Sequence, residues 1–196
     1  MLYKHLRSSG TLTGSVSGGR YYLSLMDLNK VNIIDLEIPN NINQKIIEIL
    51  AGHHWFKAVD GDQQRLEVLQ QGKSLGWAVR TMDNNKINTP LDLYADFIFQ
   101  IILKKLNING IIDRCLWNLY FPGDHGEFHE DTPNKNYFSA LYPLHTTDGL
   151  TIIQDQSFTD SEGFAKVFPS NFMHKGVGPS KSPFRMNLNL VFKLDN

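Results

Sequence analysis

After Gly110 the chain becomes a succession of short segments rich in β-branched and aromatic residues: "CLWNLYF", "EFHED", "YFSALYPL", "GLTIIQ", "FAKVFP", "FMHKGV" and "FRMNLNLVFKL". Gly, Pro, Asn and Asp punctuate them at intervals of about a dozen residues, the texture of strands joined by turns. So many short strands must bury their apolar faces against one another, which selects a sandwich, barrel or jelly roll. The last segment alternates most clearly. Phe184, Leu188, Leu190 and Phe192 fall on one face, and Arg185, Asn187 and Asn189 share the other. A polar row of that kind suits a pocket wall better than a dry core.

The region before these strands predicts helices. "NQKIIEILAG" gathers Ile42, Ile46, Ile47 and Leu50 on one helical face and stops at Gly52. Thr89-Pro90 is a start signal for a second helix, whose stripe of Leu91, Tyr94, Ile98 and Ile101 runs to Lys104-Lys105. The first 40 residues alternate the Gly/Ser-rich "SSGTLTGSVSGG" with "RYYLSL" and "VNIIDLEI", an extension leading into edge strands. The whole, 1–196, is expected to be a single domain: extension 1–40, helical support region 41–110 and jelly-roll core 111–196. Its class is mainly β with flanking helices, a double-stranded β-helix.

Nineteen basic and 20 acidic side chains leave a net charge of −1, so no nucleic acid or anionic membrane is indicated as partner. No run reaches the length of a membrane span, and "MLYKHLRSSGTLTGSVSGG" lacks the apolar stretch of a secretory signal. The single cysteine, Cys115, can form no intramolecular disulfide and fits a core position in a reducing compartment. A cytoplasmic location is expected.

Within this frame "GEFHEDTPN" carries the chemistry. In a strand, residues i and i+2 project together, so His129 and Asp131 share a face and Glu130 takes the other. An imidazole and a carboxylate on one face, joined by a third ligand from a distant strand, can hold a metal facially and leave positions open for substrate and dioxygen. A helical reading, with His125 and His129 one turn apart as in zinc proteases, would need a Glu directly after the first His. Gly126 stands there.

Together with "FPSNFMHKGVGPSKSPFRMNLNLVFKL", this stretch resembles the iron(II)- and 2-oxoglutarate-dependent oxygenases, nearest to the branch that includes the prolyl 4-hydroxylases. The resemblance covers roughly residues 115 to 194. It implies His129, Asp131 and His174 as ligands of Fe(II), and Arg185 as the anchor of 2-oxoglutarate through a bidentate grip on its distal carboxylate. "YFPGDHGEFHED" is similar to the family's approach to the first His, which makes Tyr120 a lining residue. "LYPL" is similar to the following strand, which places Tyr142 near the distal carboxylate.

Two positions depart from the pattern. Asp148-Gly149 stands where relatives often have Gly-Gly, and Asn187 stands two residues after the Arg, where many have Ser or Thr. Both bear on cosubstrate contacts and neither removes a metal ligand. A carboxylate at Asp131 disfavours the halogenating variants. The implied activity is hydroxylation of a peptidyl, prolyl-like or small-molecule substrate, using dioxygen and releasing succinate and carbon dioxide. The rival is a cupin-like jelly roll that binds metal or another ligand without 2-oxoglutarate; cupins usually offer a His-x-His pair, which this chain lacks. Among other candidates, His53, His54 and His145 suit structural roles, Trp77 and Trp117 suit the core, and Glu127 could support the metal cavity.

Overall fold

A computed structural model describes residues 27–57, 76–83 and 89–195. Two antiparallel sheets face each other. The larger has the order β1-β8-β5-β10-β4-β3-β2, and the smaller β7-β6-β9. The strands are β1 (Asn32–Asp35), β2 (Phe56–Lys57), β3 (Trp77–Asp83), β4 (Gly110–Tyr120), β5 (Tyr137–Pro143), β6 (Thr147–Ile153), β7 (Gln156–Asp160), β8 (Phe164–Pro169), β9 (His174–Val177) and β10 (Arg185–Leu194). This is the expected jelly roll, with two helices, α1 (Asn40–Ala51) and α2 (Pro90–Leu106), packed on the outer face of the larger sheet.

Alternation along the central strands divides the interior into two compartments. Toward the helices, Cys115, Trp117 and Leu119 of β4, Phe138, Ala140 and Tyr142 of β5, and Leu188, Leu190 and Phe192 of β10 join Ile46, Leu50, Ile98 and Ile102 in one dry core. Between the sheets the apolar share shrinks to Leu141, Ile153 and Phe168. The remaining inward positions there include Arg185, Asn187, Ser139, Lys166, Thr151 and Asp160, all buried. The polar row read from the last segment therefore faces the inter-sheet space.

The helices begin and end where the sequence places them. Pro90 opens α2 and the Asp92 carboxylate accepts the Thr89 N–H at 2.8 Å. Gly52 caps α1, with Trp55 Nε1 donating to the Leu50 carbonyl. "VNIIDLEI" supplies the edge strand β1, paired with β8; "RYYLSL" and the Gly/Ser-rich opening lie outside the described residues. The region 41–110 is not purely helical, because β3 within it pairs with β4 and extends the larger sheet. β7 was not among the expected strands: "QSFTD" is polar and mostly exposed, so its sequence carries little apolar alternation. Among the described residues no helix is long and apolar enough to cross a membrane.

Tyr142 requires a correction. It points toward the helices, fully buried, and its hydroxyl donates to Asn43 Oδ1 of α1 at 2.9 Å. Burial pushes its pKa up to about 12. The expected contact with a cosubstrate fails on parity, since Ser139 and Leu141 are the β5 residues that face inward. Tyr142→Phe should cost about 1–2 kcal/mol by leaving the buried Asn43 Oδ1 without a donor, read as a lower denaturation midpoint with metal binding at residues 129, 131 and 174 unchanged.

Candidate metal centre

His129, Asp131 and His174 converge: one ligand atom from each lies within 4.8 Å of the others. The route differs from that expected. "EFHED" is not a continuous strand, and only His129 makes an isolated antiparallel bridge, to His174 at the head of β9. His129 N–H donates to the His174 carbonyl at 3.0 Å, and His174 N–H returns the bond at 2.8 Å. Asp131 N–H donates to the Ser170 carbonyl at 2.9 Å. These main-chain bonds replace a regular ladder and hold the three side chains on one wall. Upstream, Asp124 Oδ2 accepts the Phe121 N–H at 2.8 Å, and Gly123 takes φ +89°, a turn that favours glycine.

The imidazoles are set for coordination through Nε2. His129 Nδ1 lies 2.9 Å from the Glu127 carbonyl and His174 Nδ1 lies 2.9 Å from the Phe172 carbonyl. A carbonyl only accepts, so each Nδ1 carries the proton and each Nε2 keeps its lone pair. Burial holds His174 below the usual histidine range, against the opposing pull of Asp131. The neutral imidazole that a metal needs is thus favoured.

Asp131 is fixed from the opposite sheet. Arg114 of β4 pairs with Oδ1, Ser139 of β5 donates to Oδ2 at 2.6 Å, and His174 Nε2 stands 3.5 Å from Oδ2. Burial alone would raise its pKa. The Arg114 guanidinium and the Ser139 hydroxyl oppose that and hold it low. Two nitrogens and one carboxylate oxygen, with the carboxylate ionised, suit a divalent first-row metal held on one face.

Two residues beyond His174, on the same face of β9, stands Gly176. A Cβ there would lie 2.7 Å from Tyr120 Oη and 2.9 Å from Arg185 Nη1. The Tyr120 ring stands 5.2 Å from the guanidinium. Arg185 is only 1% exposed, and its bidentate edge is already engaged. Nε donates to Asp160 Oδ2 at 2.7 Å, and Nη2 donates to Asp160 Oδ1 at 3.2 Å and to Thr151 Oγ1 at 2.7 Å. Asp160 also accepts from Lys166 Nζ at 2.8 Å. Arg185 Nη1 is buried and has no hydrogen-bond partner among the described residues. The expected two-pronged grip on a ligand is therefore corrected to a single free prong.

Other positions resolve simply. Asn187 faces the inter-sheet space and accepts from Asn118 Nδ2 at 3.1 Å. Glu127 supports His129 through its carbonyl, while its side chain is exposed. His53 Nδ1 lies 3.0 Å from the Ile49 carbonyl at the end of α1, and His145 Nε2 accepts the Met186 N–H at 3.3 Å, both structural. Asp148, the departure from Gly-Gly, accepts the N–H groups of Ser180, Lys181 and Ser182 and the Ser180 hydroxyl. It shapes the loop that delivers Arg185. Sequence reading missed Arg114, Ser139, Thr151, Asp160 and Lys166. Charged or polar residues at inward positions of otherwise apolar strands were the available signal.

No protein-family model matches the sequence, and no curated protein matches it. Solved structures do match. A prolyl-4-hydroxylase from Pseudomonas putida is 15% identical, with TM-score 0.56 over 85% of this chain and 93% of that one. The viral collagen prolyl hydroxylase from Paramecium Bursaria Chlorella virus-1, a 2-oxoglutarate complex, is 14% identical, with TM-score 0.55 over 83% and 96% of the two chains. The non-heme alpha ketoglutarate dependent epimerase SnoN from nogalamycin biosynthesis is 8% identical, with TM-score 0.60 over 85% and 79%. The chain has the fold of these 2-oxoglutarate oxygenases.

Two measurements check the site. Ser139→Ala should weaken divalent-metal binding by about 10- to 100-fold, the usual cost of losing a hydrogen bond that orients a ligand; titration calorimetry reads this directly. Arg185 and Lys166 hold the Asp160 pKa below 3.8 against the effect of burial. Asp160 therefore contributes stability that is fully present above that pH and is lost as pH falls through the folded value. Asp160→Asn should flatten the acid limb of the stability profile below about pH 4.

Proposed function

We propose that the protein is an iron(II)- and 2-oxoglutarate-dependent dioxygenase. One observation carries the reading: His129, Asp131 and His174 meet on the wall where, two residues along β9, a buried guanidinium presents an unpartnered Nη1. The donor set fits ferrous iron, and the side-chain-free space at Gly176 beside Nη1 and Tyr120 Oη fits a carboxylate. When bound, iron and 2-oxoglutarate would activate dioxygen, one oxygen atom going into succinate as 2-oxoglutarate loses carbon dioxide and the other hydroxylating a substrate C–H bond.

The chain's own residues do the rest. His129 and His174 present Nε2 while carbonyls hold their Nδ1 protons. Arg114 and Ser139 keep Asp131 ionised and aimed. Arg185 and Tyr120 bind and orient the distal carboxylate of the cosubstrate, and Leu141, Ile153 and Phe168 keep the neighbouring space dry. Asn187 lines the same interior. The substrate is peptidyl, in the manner of the two prolyl hydroxylases, or a small molecule, in the manner of the epimerase. The reading takes the chain as one catalytic unit in the cytoplasm, where Cys115 stays a thiol.

A second reading, a metal-binding jelly roll that makes no use of 2-oxoglutarate, is favoured by one observation: Asp160 already occupies an edge of Arg185. Anaerobic titration with Fe(II), followed by 2-oxoglutarate, separates the two. The oxygenase develops a visible charge-transfer band on the second addition, and the metal-binding module does not. His174→Ala should abolish iron binding and turnover. Arg185→Ala should retain iron and bind 2-oxoglutarate at least about tenfold more weakly; equal affinity overturns the anchor assignment.

A further inference from the structure

Lys166, Asp160 and Arg185 form a closed buried set, respectively 3%, 1% and 1% exposed. It comes from three strands, β8, β7 and β10, and so ties the two sheets together. Burying three charges is unfavourable unless each is well paired. An ordinary structural pair would satisfy every donor. Here Asp160 saturates one edge of the guanidinium, while Nη1 is left bare toward Gly176 and Tyr120.

We infer that Asp160 and Lys166 are positioning residues for the cosubstrate: Asp160 fixes the Arg185 plane so that Nη1 alone meets the distal carboxylate, and Lys166 restores the positive charge that Asp160 removes. This rests on the oxygenase reading and deepens it. Without Lys166 the Arg185–Asp160 pair is neutral, and an incoming carboxylate would meet a hydrogen-bond donor with no net charge behind it. With Lys166 the cluster keeps one net positive charge, although the ammonium donates to Asp160 and its effect on the ligand passes through that carboxylate. Thr151 fixes the other amino group, so the guanidinium cannot rotate to offer a second prong.

The test uses the full chain loaded with Mn(II) in place of iron, which allows binding without turnover, and reads ligand affinity by titration calorimetry. Lys166→Met should bind 2-oxoglutarate about tenfold more weakly than wild type, because a neighbouring charge is lost from a buried site. The double variant Asp160→Asn with Lys166→Met restores the one net positive charge, and the amide oxygen left at position 160 still accepts from the guanidinium edge, so affinity should return to within about threefold of wild type. For 2-oxopentanoate, whose chain ends in a methyl group, wild type and Lys166→Met should bind alike. Lys166→Gln keeps a donor to Asp160 without the charge and gives the same reading if the methionine variant does not fold. Wild-type affinity in the single variant, or no recovery in the double variant, overturns the inference and leaves the oxygenase reading standing. Failure of the wild-type Mn(II) protein to bind 2-oxoglutarate overturns both.

Discussion

The two main-chain hydrogen bonds that join His129 to His174 hold the candidate site together. One residue lies in a segment with almost no regular structure and the other opens a four-residue strand, yet the pair is registered as firmly as a sheet. Asp131, two residues on, is then seized from the far side by Arg114 and Ser139 of the larger sheet. A single short stretch thus bridges both sheets, and the spacing between the sheets becomes the spacing of the three candidate ligands. Rigid elements outside a site give this precision more reliably than the loop that carries it.

The division of the interior follows from the same arrangement. All the helix packing falls on one face of the larger sheet, where Trp117, Leu188 and Phe192 meet α1 and α2, and that compartment supplies most of the hydrophobic stabilisation. The inter-sheet compartment is thereby free to be polar. It contains ions that would be unfavourable in a core unless paired, and the pairing is nearly complete. Local rules of packing are relaxed where ligands are to be held.

Much of this was legible in the sequence. Strand alternation from Arg185 to Phe192 showed which residues face inward, and Thr89-Pro90 and Gly52 marked helix boundaries that the structure keeps. His129 and Asp131 were named from their spacing, His174 through the family resemblance, and the three do meet. The i, i+2 argument for the first two reached the right juxtaposition through the wrong local structure, because their alignment depends on bonds to residues 174 and 170 that no local pattern encodes. Tyr142 was misplaced because a one-residue shift in parity reverses a strand's faces. Asp160 escaped notice for a different reason: its partners lie 6 and 25 residues away, and a lone carboxylate at the end of a polar strand looks solvated until the opposite sheet covers it.

Gly149 and Gly176 close around the anchor from the smaller sheet. A methyl group at the first would stand 2.6 Å from Arg185 Cδ, and at the second 2.7 Å from Tyr120 Oη. A side chain at either point would have to displace the guanidinium or the tyrosine beside it. The fold itself asks for little identity elsewhere: this chain overlays on a solved structure with which it shares 8% of its residues.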